Sequence, residues 1–183
     1  METFAKIEML ESMKILIDKR EQPTDRAKKR YESFEAPYER VTLSYGDYAY
    51  NAKLPNGEWI YDESKTISPV FCLERKMNLD ELASCFTHSR NRFEREFQRA
   101  KANNARVFLL VENATWENLL AGRYRSQFNP KAFFASLCSW IVKYDINFIN
   151  CKEESTGKII KEFMYRDLYN RIERGEFDEL GTD

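Results

Sequence analysis

Apolar and polar positions follow two different periods along this chain, and each change of period marks an element. Consecutive apolar residues predict strands that are buried in a sheet, at 13–17, 70–73, 107–111 and 146–149. Val41, Leu43 and Tyr45 alternate with polar residues, which predicts one further strand. Residues 48–60 surround the turn sequence Pro55-Asn56-Gly57, so we expect a β-hairpin there.

Between the strands, apolar residues recur every three or four positions, which is the spacing of one helix face. The longest such pattern covers 79–100 and predicts one long helix. A shorter helix is predicted over 25–34, with Thr24 as its N-cap. Two more are predicted, one opening at Pro130 and one over 155–174.

The alternation of strands and helices predicts an α/β fold built on a mixed sheet. The chain has 183 residues, which is enough to bury one core. We expect a single domain over 13–174, with an N-terminal extension over 1–12 and a frayed acidic tail over 175–183.

Composition narrows the class of protein. Hydrophobic residues make up 43% of the chain, which excludes an intrinsically disordered protein. No apolar run approaches the ~20 residues that span a bilayer, and the N-terminus lacks the apolar stretch of a secretory signal. We therefore expect a cytoplasmic protein without a membrane partner. Its cysteines have no C-x-x-C spacing, so we expect them to be reduced, with a disulfide as the alternative; they are Cys72, Cys85, Cys138 and Cys151.

Charge and motif content exclude several kinds of site. Lysine and arginine number 29 against 30 acidic residues, so the net charge of −1 gives no general attraction to nucleic acid. A basic binding surface would have to be local. The single histidine, His88, excludes zinc motifs that need two histidines. None of the six glycines belongs to a Walker loop or a G-x-G-x-x-G sequence.

Acidic side chains stand where three predicted strands end. Glu74 and Lys76 follow the run 70–73 and project from the same face of their strand, while Asp18 and Asp47 end two others. Carboxylates are the ligands that Mg²⁺ prefers, and the bound ion activates water for attack on a phosphodiester. A nearby lysine orients or deprotonates that water, or stabilises the transition state. Taken alone, a pair such as Glu74 and Lys76 is most often a solvated strand end.

The wider pattern is more specific. It is written G-D-x(n)-E-R-K-x-x-x-D and consists of Gly46, Asp47, Glu74, Arg75, Lys76 and Asp80. This pattern resembles the signature of the XPF-type structure-specific nucleases, the excision-repair cross-complementing nuclease family. Asp18-Lys19-Arg20-Glu21 is similar to the D-x-R-E motif that follows the first strand in that family. The resemblance covers approximately residues 14–112.

The resemblance implies a restriction-endonuclease-like fold, with a three-layer core in which helices flank a central mixed sheet. It also implies an Mg²⁺-dependent DNA endonuclease in which Mn²⁺ substitutes for Mg²⁺. By the same resemblance, Asp47, Glu74 and the main-chain carbonyl of Arg75 are metal ligands, and Lys76 lies near the attacking water. Asp18 would lie close to the metal and hold its hydration.

Further residues are expected to support the metal ligands or to contact DNA. The resemblance implies that Arg20, Glu21 and Asp80, together with Arg75, orient the ligands. Arg92 is similar to a family arginine and is expected to contact DNA. It belongs to a stripe at helical spacing that consists of His88, Arg92, Arg95 and Arg99. This stripe either follows a DNA backbone or is an ordinary solvated face.

The chain also departs from the family pattern. The 26 residues 48–73 form a longer gap than expected, so we expect an insertion near the active face that either shapes substrate access or is a neutral ribbon. Many relatives carry a tandem helix-hairpin-helix domain, and we expect none within these 183 residues. We expect cleavage of branched or flapped DNA, as in repair or recombination. The alternatives are a non-catalytic DNA-binding or scaffold member of the same fold, and a general nuclease or RNase.

Relatives dimerise through their nuclease domains, and here the apolar faces of the last two predicted helices are large for one small sheet. We therefore expect a homodimer, or a partner protein that supplies duplex-binding surface. The residues concerned are Phe133, Phe134, Ile160, Phe163 and Met164.

Overall fold

A seven-stranded mixed sheet forms the middle layer of the computed structural model, which describes residues 3–178. The strand order is β4-β2-β1-β3-β5-β6-β7. The strands are β1 (Lys14–Asp18), β2 (Tyr38–Leu43), β3 (Tyr48–Asn51), β4 (Thr66–Ile67), β5 (Phe71–Lys76), β6 (Arg106–Glu112) and β7 (Asn147–Cys151).

Helices cover both faces of the sheet. They are α1 (Thr3–Glu11), α2 (Asp25–Glu32), α3 (Leu79–Thr87), α4 (Arg90–Ala102), α5 (Trp116–Leu120), α6 (Pro130–Tyr144) and α7 (Thr156–Glu173), with a 3₁₀ turn at Glu153–Ser155. One core packs α3, α4 and α6 against the sheet, and the other packs α1, α2 and α7 against its opposite face. The predicted α/β fold, with three layers around a mixed sheet, is confirmed.

The direction of β3 decides which ends of the strands meet. β3 is antiparallel to both of its neighbours, β1 and β5, whereas the other strand pairs are parallel. Tyr48, its first residue, pairs with Ile17 near the end of β1 and with Leu73 in β5. The beginning of β3 therefore lies beside the carboxyl ends of β1 and β5.

The single helix predicted over 79–100 is two helices, α3 and α4. His88 is the C-cap of α3, and the side chain of Thr87 bonds back to the Ala83 carbonyl at 3.0 Å. The break lets Phe86 and Phe93 pack around one ring, with centroids 4.6 and 5.5 Å from that of Trp140. A straight helix would hold two residues seven positions apart about 10 Å from each other along its axis.

The hairpin predicted over 48–60 forms in the part next to its turn, where the Ile60 amide donates to the Ala52 carbonyl at 3.0 Å, but not over 48–51. Residues of β3 pair with β1 and β5, and an antiparallel bridge joins Lys53 to Trp59 around the turn. Of the insertion over 48–73, Tyr48 and β4 lie at the carboxyl ends of β1 and β2, whereas the turn at 55–57 lies away from them. Because β3 runs antiparallel to β1, it carries the chain away from Asp47 to the opposite ends of the strands. There the amide of Lys53 donates to the Ser12 hydroxyl, next to the end of α1.

Several smaller expectations have direct outcomes in the described residues. All four cysteines are free, and no helix within 3–178 has the length and apolar character needed to cross a membrane. Of the five residues expected at an interface, Phe133, Ile160 and Met164 are buried within one chain, whereas Phe134 and Phe163 are partly buried. The homodimer stays a prediction. Of the predicted tail, Phe177 packs into the core, while 179–183 lie outside the described residues.

Gly157 marks the closest approach of α7 to α2. A Cβ at this position would lie 2.5 Å from the Arg30 carbonyl oxygen and would also meet Ser33. Glycine to alanine within a helix normally stabilises by about 1 kcal/mol. Here the overlap reverses the sign, and we expect Gly157→Ala to lower the free energy of unfolding by about 1–3 kcal/mol. Chemical denaturation measures this; Lys158→Ala, at the exposed next position, is the control, and a stabilised Gly157→Ala would contradict the packing.

Candidate active site

The carboxyl ends of β1 and β5 and the beginning of β3 form one corner of the sheet. The amide of Asp18 donates to the Asp47 carbonyl at 2.9 Å, and the amide of Asp47 donates to the Leu73 carbonyl at 2.9 Å. The Asp47 carboxylate in turn accepts from the Arg75 amide at 2.8 Å. These bonds hold Asp47 between the two strand ends, with its side chain beside the Glu74-Arg75-Lys76 segment.

Gly46 allows the chain to enter this corner. Its φ of +76° lies in the left-handed region, which side chains with a Cβ rarely adopt. A Cβ there would also lie 2.8 Å from the Cβ of Cys72. Glycine is therefore required immediately before Asp47 for both backbone conformation and packing.

The alternation of β5 separates the three residues of its motif. Glu74 and Lys76 point to the side of α3 and α4, whereas Arg75 points to the side of α2 and α7. The Lys76 ammonium donates to Glu74 Oε1 at 2.5 Å and lies 5.1 Å from the centre of the Phe93 ring. Both side chains of this ion pair are largely buried.

Burial controls the charge state of the acidic pair. Removal from water raises the pKa of Asp47 to about 8; the charge of Glu74 adds to this rise and Lys76 opposes it. Burial also raises the pKa of Glu74, and attraction to Lys76 offsets only part of that effect. Burial alone would lower the pKa of Lys76, but the charges of Glu74 and Asp47 raise it above its ordinary value. Lys76 is therefore held as an ammonium.

The donor set fits a divalent cation. Within residues 3–178, no three or more histidine, cysteine or acidic side chains are grouped so as to hold a metal ion. The set implied by the family resemblance is smaller and consists of two carboxylates and one carbonyl, which are hard oxygen donors of the kind that Mg²⁺ and Mn²⁺ bind. Burial raises the pKa of both carboxylates, so their ionised forms lack the stabilisation that water would give and that a bound cation would supply.

Asp18 is fully engaged by neighbouring groups. One carboxylate oxygen accepts from the amide and the Nε of Arg20 at 2.8 and 2.7 Å, and the other accepts from the Leu43 amide at 2.8 Å. These bonds occupy most of its acceptor positions, and its role as a holder of metal-bound water stays a prediction. Asp18 also fixes the turn that presents Arg20, whose guanidinium also meets Glu96 at 3.3 Å.

A network of buried charges lies on the other face of β5. Arg75 donates from Nε and Nη2 to Glu112 at 2.8 and 2.7 Å. Glu21 accepts from Arg30 at 2.5 Å and from the Tyr48 hydroxyl at 2.9 Å, and lies 3.9 Å from Arg75. The predicted supporting residues Glu21 and Arg75 are thus brought together behind the acidic pair.

Asp80 and Arg92 follow the corner in sequence and lie on α3 and α4. One Asp80 oxygen accepts from the amides of Arg125 and Ser126 at 2.7 and 2.8 Å, which fastens the loop before α6 to the start of α3. The open groove beside that loop has a volume of about 1130 Å³. Arg92 is exposed on α4, and the break at His88 divides the stripe predicted for one helix.

Comparison with known proteins shows the family of this chain. The model of the ERCC4 domain matches residues 17–163. The chain belongs to the ERCC4 domain family. The family named from the motifs is thereby confirmed, and the match extends well beyond them. No curated protein sequence matches the chain.

Two solved structures share the fold of this ERCC4 domain. XPF from Aeropyrum pernix is 20% identical with a TM-score of 0.56, over 82% of this chain and 64% of that chain. XPF from Aeropyrum pernix in complex with DNA is 20% identical with a TM-score of 0.55, over 84% and 63% respectively. This chain therefore spans just under two thirds of each. At this identity the likeness shows the fold.

Two acidic residues of this ERCC4 domain were missing from the sequence prediction. Glu112 directly follows the apolar run 107–111, just as Glu74 follows 70–73, so the same rule would have found it. Glu96 lies on α4 among charged neighbours and carries no such signal. Its charge contributes to the raised pKa of Glu74, which places it beside the acidic pair.

The raised pKa of Asp47 makes a prediction about stability. An acid whose pKa is higher in the folded chain than in the unfolded one destabilises the fold as pH rises above its unfolded value, about 3.9. That penalty is complete once pH exceeds the folded value, about 8. In EDTA, we expect Asp47→Asn to melt above the wild type at pH 8, with the difference closing toward pH 4.

Scanning calorimetry across this pH range measures the difference, at about 2–4 °C for each kcal/mol. Asp25→Asn, which removes an exposed carboxylate on α2, is the control and should show no such growth with pH. An Asp47→Asn variant that melts below the wild type at pH 8 would contradict the raised pKa.

Proposed function

We propose that this chain is a metal-dependent endonuclease that hydrolyses DNA phosphodiester bonds, at branched or flapped duplexes of the kind met in repair and recombination. One observation carries the proposal: the turn into β3 brings Asp47 beside Glu74 and Lys76 at one corner of the sheet, in a partly buried site. Membership of the ERCC4 domain family supports the same chemistry.

In this proposal, Asp47, Glu74 and the main-chain carbonyl of Arg75 hold Mg²⁺, for which Mn²⁺ substitutes. When bound, the ion activates water and offsets negative charge on the phosphate. The protein fixes the donors: the Arg75 amide bonds to Asp47, so one ligand side chain is tied to the backbone that carries another ligand. The raised pKa values of the two carboxylates are consistent with a site completed by a cation.

Lys76 acts as a charged group in this proposal. Its raised pKa keeps the proton on the ammonium at neutral pH, which disfavours removal of a proton from water by this side chain. An ammonium beside the two carboxylates stabilises negative charge that develops on the phosphate oxygens. Of the roles considered for this lysine, electrostatic stabilisation is therefore the one we adopt.

The DNA-binding side would be that of α4. Arg92, Arg95 and Arg99 are exposed on this helix, whose Phe93 also contacts Lys76. Such a local basic strip suits phosphate contacts in a chain with a net charge of −1. The complex of Aeropyrum pernix XPF with DNA gives a related fold that binds this class of partner.

Glu74→Gln tests the chemistry. The amide keeps the shape and an acceptor for Lys76 but loses the anionic ligand. We expect cleavage to fall by more than about 100-fold, since changes to groups that only hydrogen-bond to metal ligands already cost about 10–100-fold. A labelled-DNA cleavage assay with Mg²⁺ measures this. Glu94→Gln is the matched control, because Glu94 pairs with Lys143 and Tyr144 away from the corner. Near-normal turnover by a folded Glu74→Gln would refute the assignment.

The substrate class is tested on the wild type. Linear duplex, 3′-flap, splayed-arm and four-way junction DNA, and RNA, are each compared with Mg²⁺, Mn²⁺ and EDTA. We expect cutting near the branch that needs a divalent ion and stops in EDTA. Equal cutting of RNA and linear duplex would indicate a general nuclease. Binding of branched DNA without any cutting would indicate a non-catalytic binding protein.

A further inference from the structure

Glu112 is the most completely buried acid next to the proposed metal centre. It ends β6 with no exposed surface and accepts two hydrogen bonds from Arg75, one from Arg26 at 2.7 Å and one from the Thr156 hydroxyl at 2.8 Å. Arg30 lies 3.6 Å away. Burial by itself would raise the pKa of Glu112, but these partners hold it below its ordinary value. Its carboxylate is therefore anionic.

The contact with Arg75 is geometrically restrictive. Two N–H groups of one guanidinium meet the two oxygens of one carboxylate, a fork-to-fork arrangement that fixes the plane of the arginine head. The main chain of the same residue serves the corner: its amide binds Asp47, and its carbonyl is the proposed third ligand. Because the side chain of Arg75 is clamped, rotation of the peptide groups on either side of residue 75 is limited.

Strand pairing alone does not need this clamp. β5 and β6 are already joined along their whole length, from Phe71 opposite Arg106 to Lys76 opposite Val111. Removing an ion pair from water is costly, and a buried pair is often no more stabilising than packed apolar side chains. A buried clamp at this one position is better explained by the fixed orientation that it gives to the main chain of residue 75.

We propose that Glu112 is a positioning residue of the metal centre, which acts through Arg75 to set the direction of the Arg75 carbonyl and amide. The proposal rests on the proposed function for the identity of the centre. Glu112 itself touches neither the ligand oxygens nor substrate; its effect reaches the metal through the backbone of β5.

The test compares Glu112→Gln with Asp167→Asn. Asp167 is likewise a buried carboxylate with an arginine and a hydroxyl partner, but its arginine is Arg106 at the opposite end of β6. The two variants remove the same charge at the two ends of one strand. Mn²⁺ affinity by titration calorimetry, hydrogen exchange of the Arg75 amide without metal, and melting temperature are measured for both.

We expect both variants to lose stability, but only Glu112→Gln to weaken Mn²⁺ binding, by about 10–100-fold, and to speed exchange of the Arg75 amide at least about tenfold. Arg75→Lys keeps the main chain and the charge but lacks the fork, and should weaken Mn²⁺ binding similarly. If Glu112→Gln does not fold, Arg75→Lys decides. Mn²⁺ affinity and Arg75 exchange within twofold of the wild type would overturn the proposal.

Failure of the proposed function has a different signature. A wild type that binds Mn²⁺ through Glu74 but cuts no DNA would refute the nuclease while leaving the role of Glu112 to be judged on affinity and exchange. If Glu74→Gln binds Mn²⁺ as tightly as the wild type does, the proposed function and the proposed role of Glu112 are both overturned.

Discussion

The reversed direction of β3 is the constraint on which the rest of the site depends. Its neighbours β1 and β5 both end where β3 begins, so one tight turn at Gly46 delivers Asp47 to both strand ends at once. A parallel β3 would carry its first residues to the opposite edge of the sheet. Backbone bonds from Asp47 to residues of β1 and β5 then fix the corner, and the Asp47 side chain adds a bond to the Arg75 amide.

The pleat of β5 divides one short motif between two tasks. Glu74 and Lys76 face the helices α3 and α4, where burial forces unlike charges into contact. Arg75 faces α2 and α7, where Glu21 and Glu112 surround it with acceptors. One side of β5 therefore carries carboxylates whose burial works against folding, while the other side pairs its charges and holds the strand end in place.

Local pattern was sufficient for most of the sheet and for the acidic residues that the corner brings together. Apolar runs gave the strand ends that carry Asp18 and Glu74, and the motif spelling led from these to the family. The direction of β3 was not visible, because its pairing depends on strands that are distant in sequence. The break between α3 and α4 was hidden for a similar reason: it is imposed by Trp140, which lies more than forty residues farther along the chain. Glu96 likewise reaches the corner only through tertiary packing.

The turn at 55–57 follows the end of β3 that lies opposite Asp47, and its residues are exposed. Lengthening such a surface loop costs little, about 0.6 kcal/mol for each doubling in the simplest treatment of loop closure. The chain can therefore vary in length here without moving its charged corner. The same turn is a natural place to attach a fluorophore or an affinity tag, since a label there reports on the molecule from the far side of the sheet.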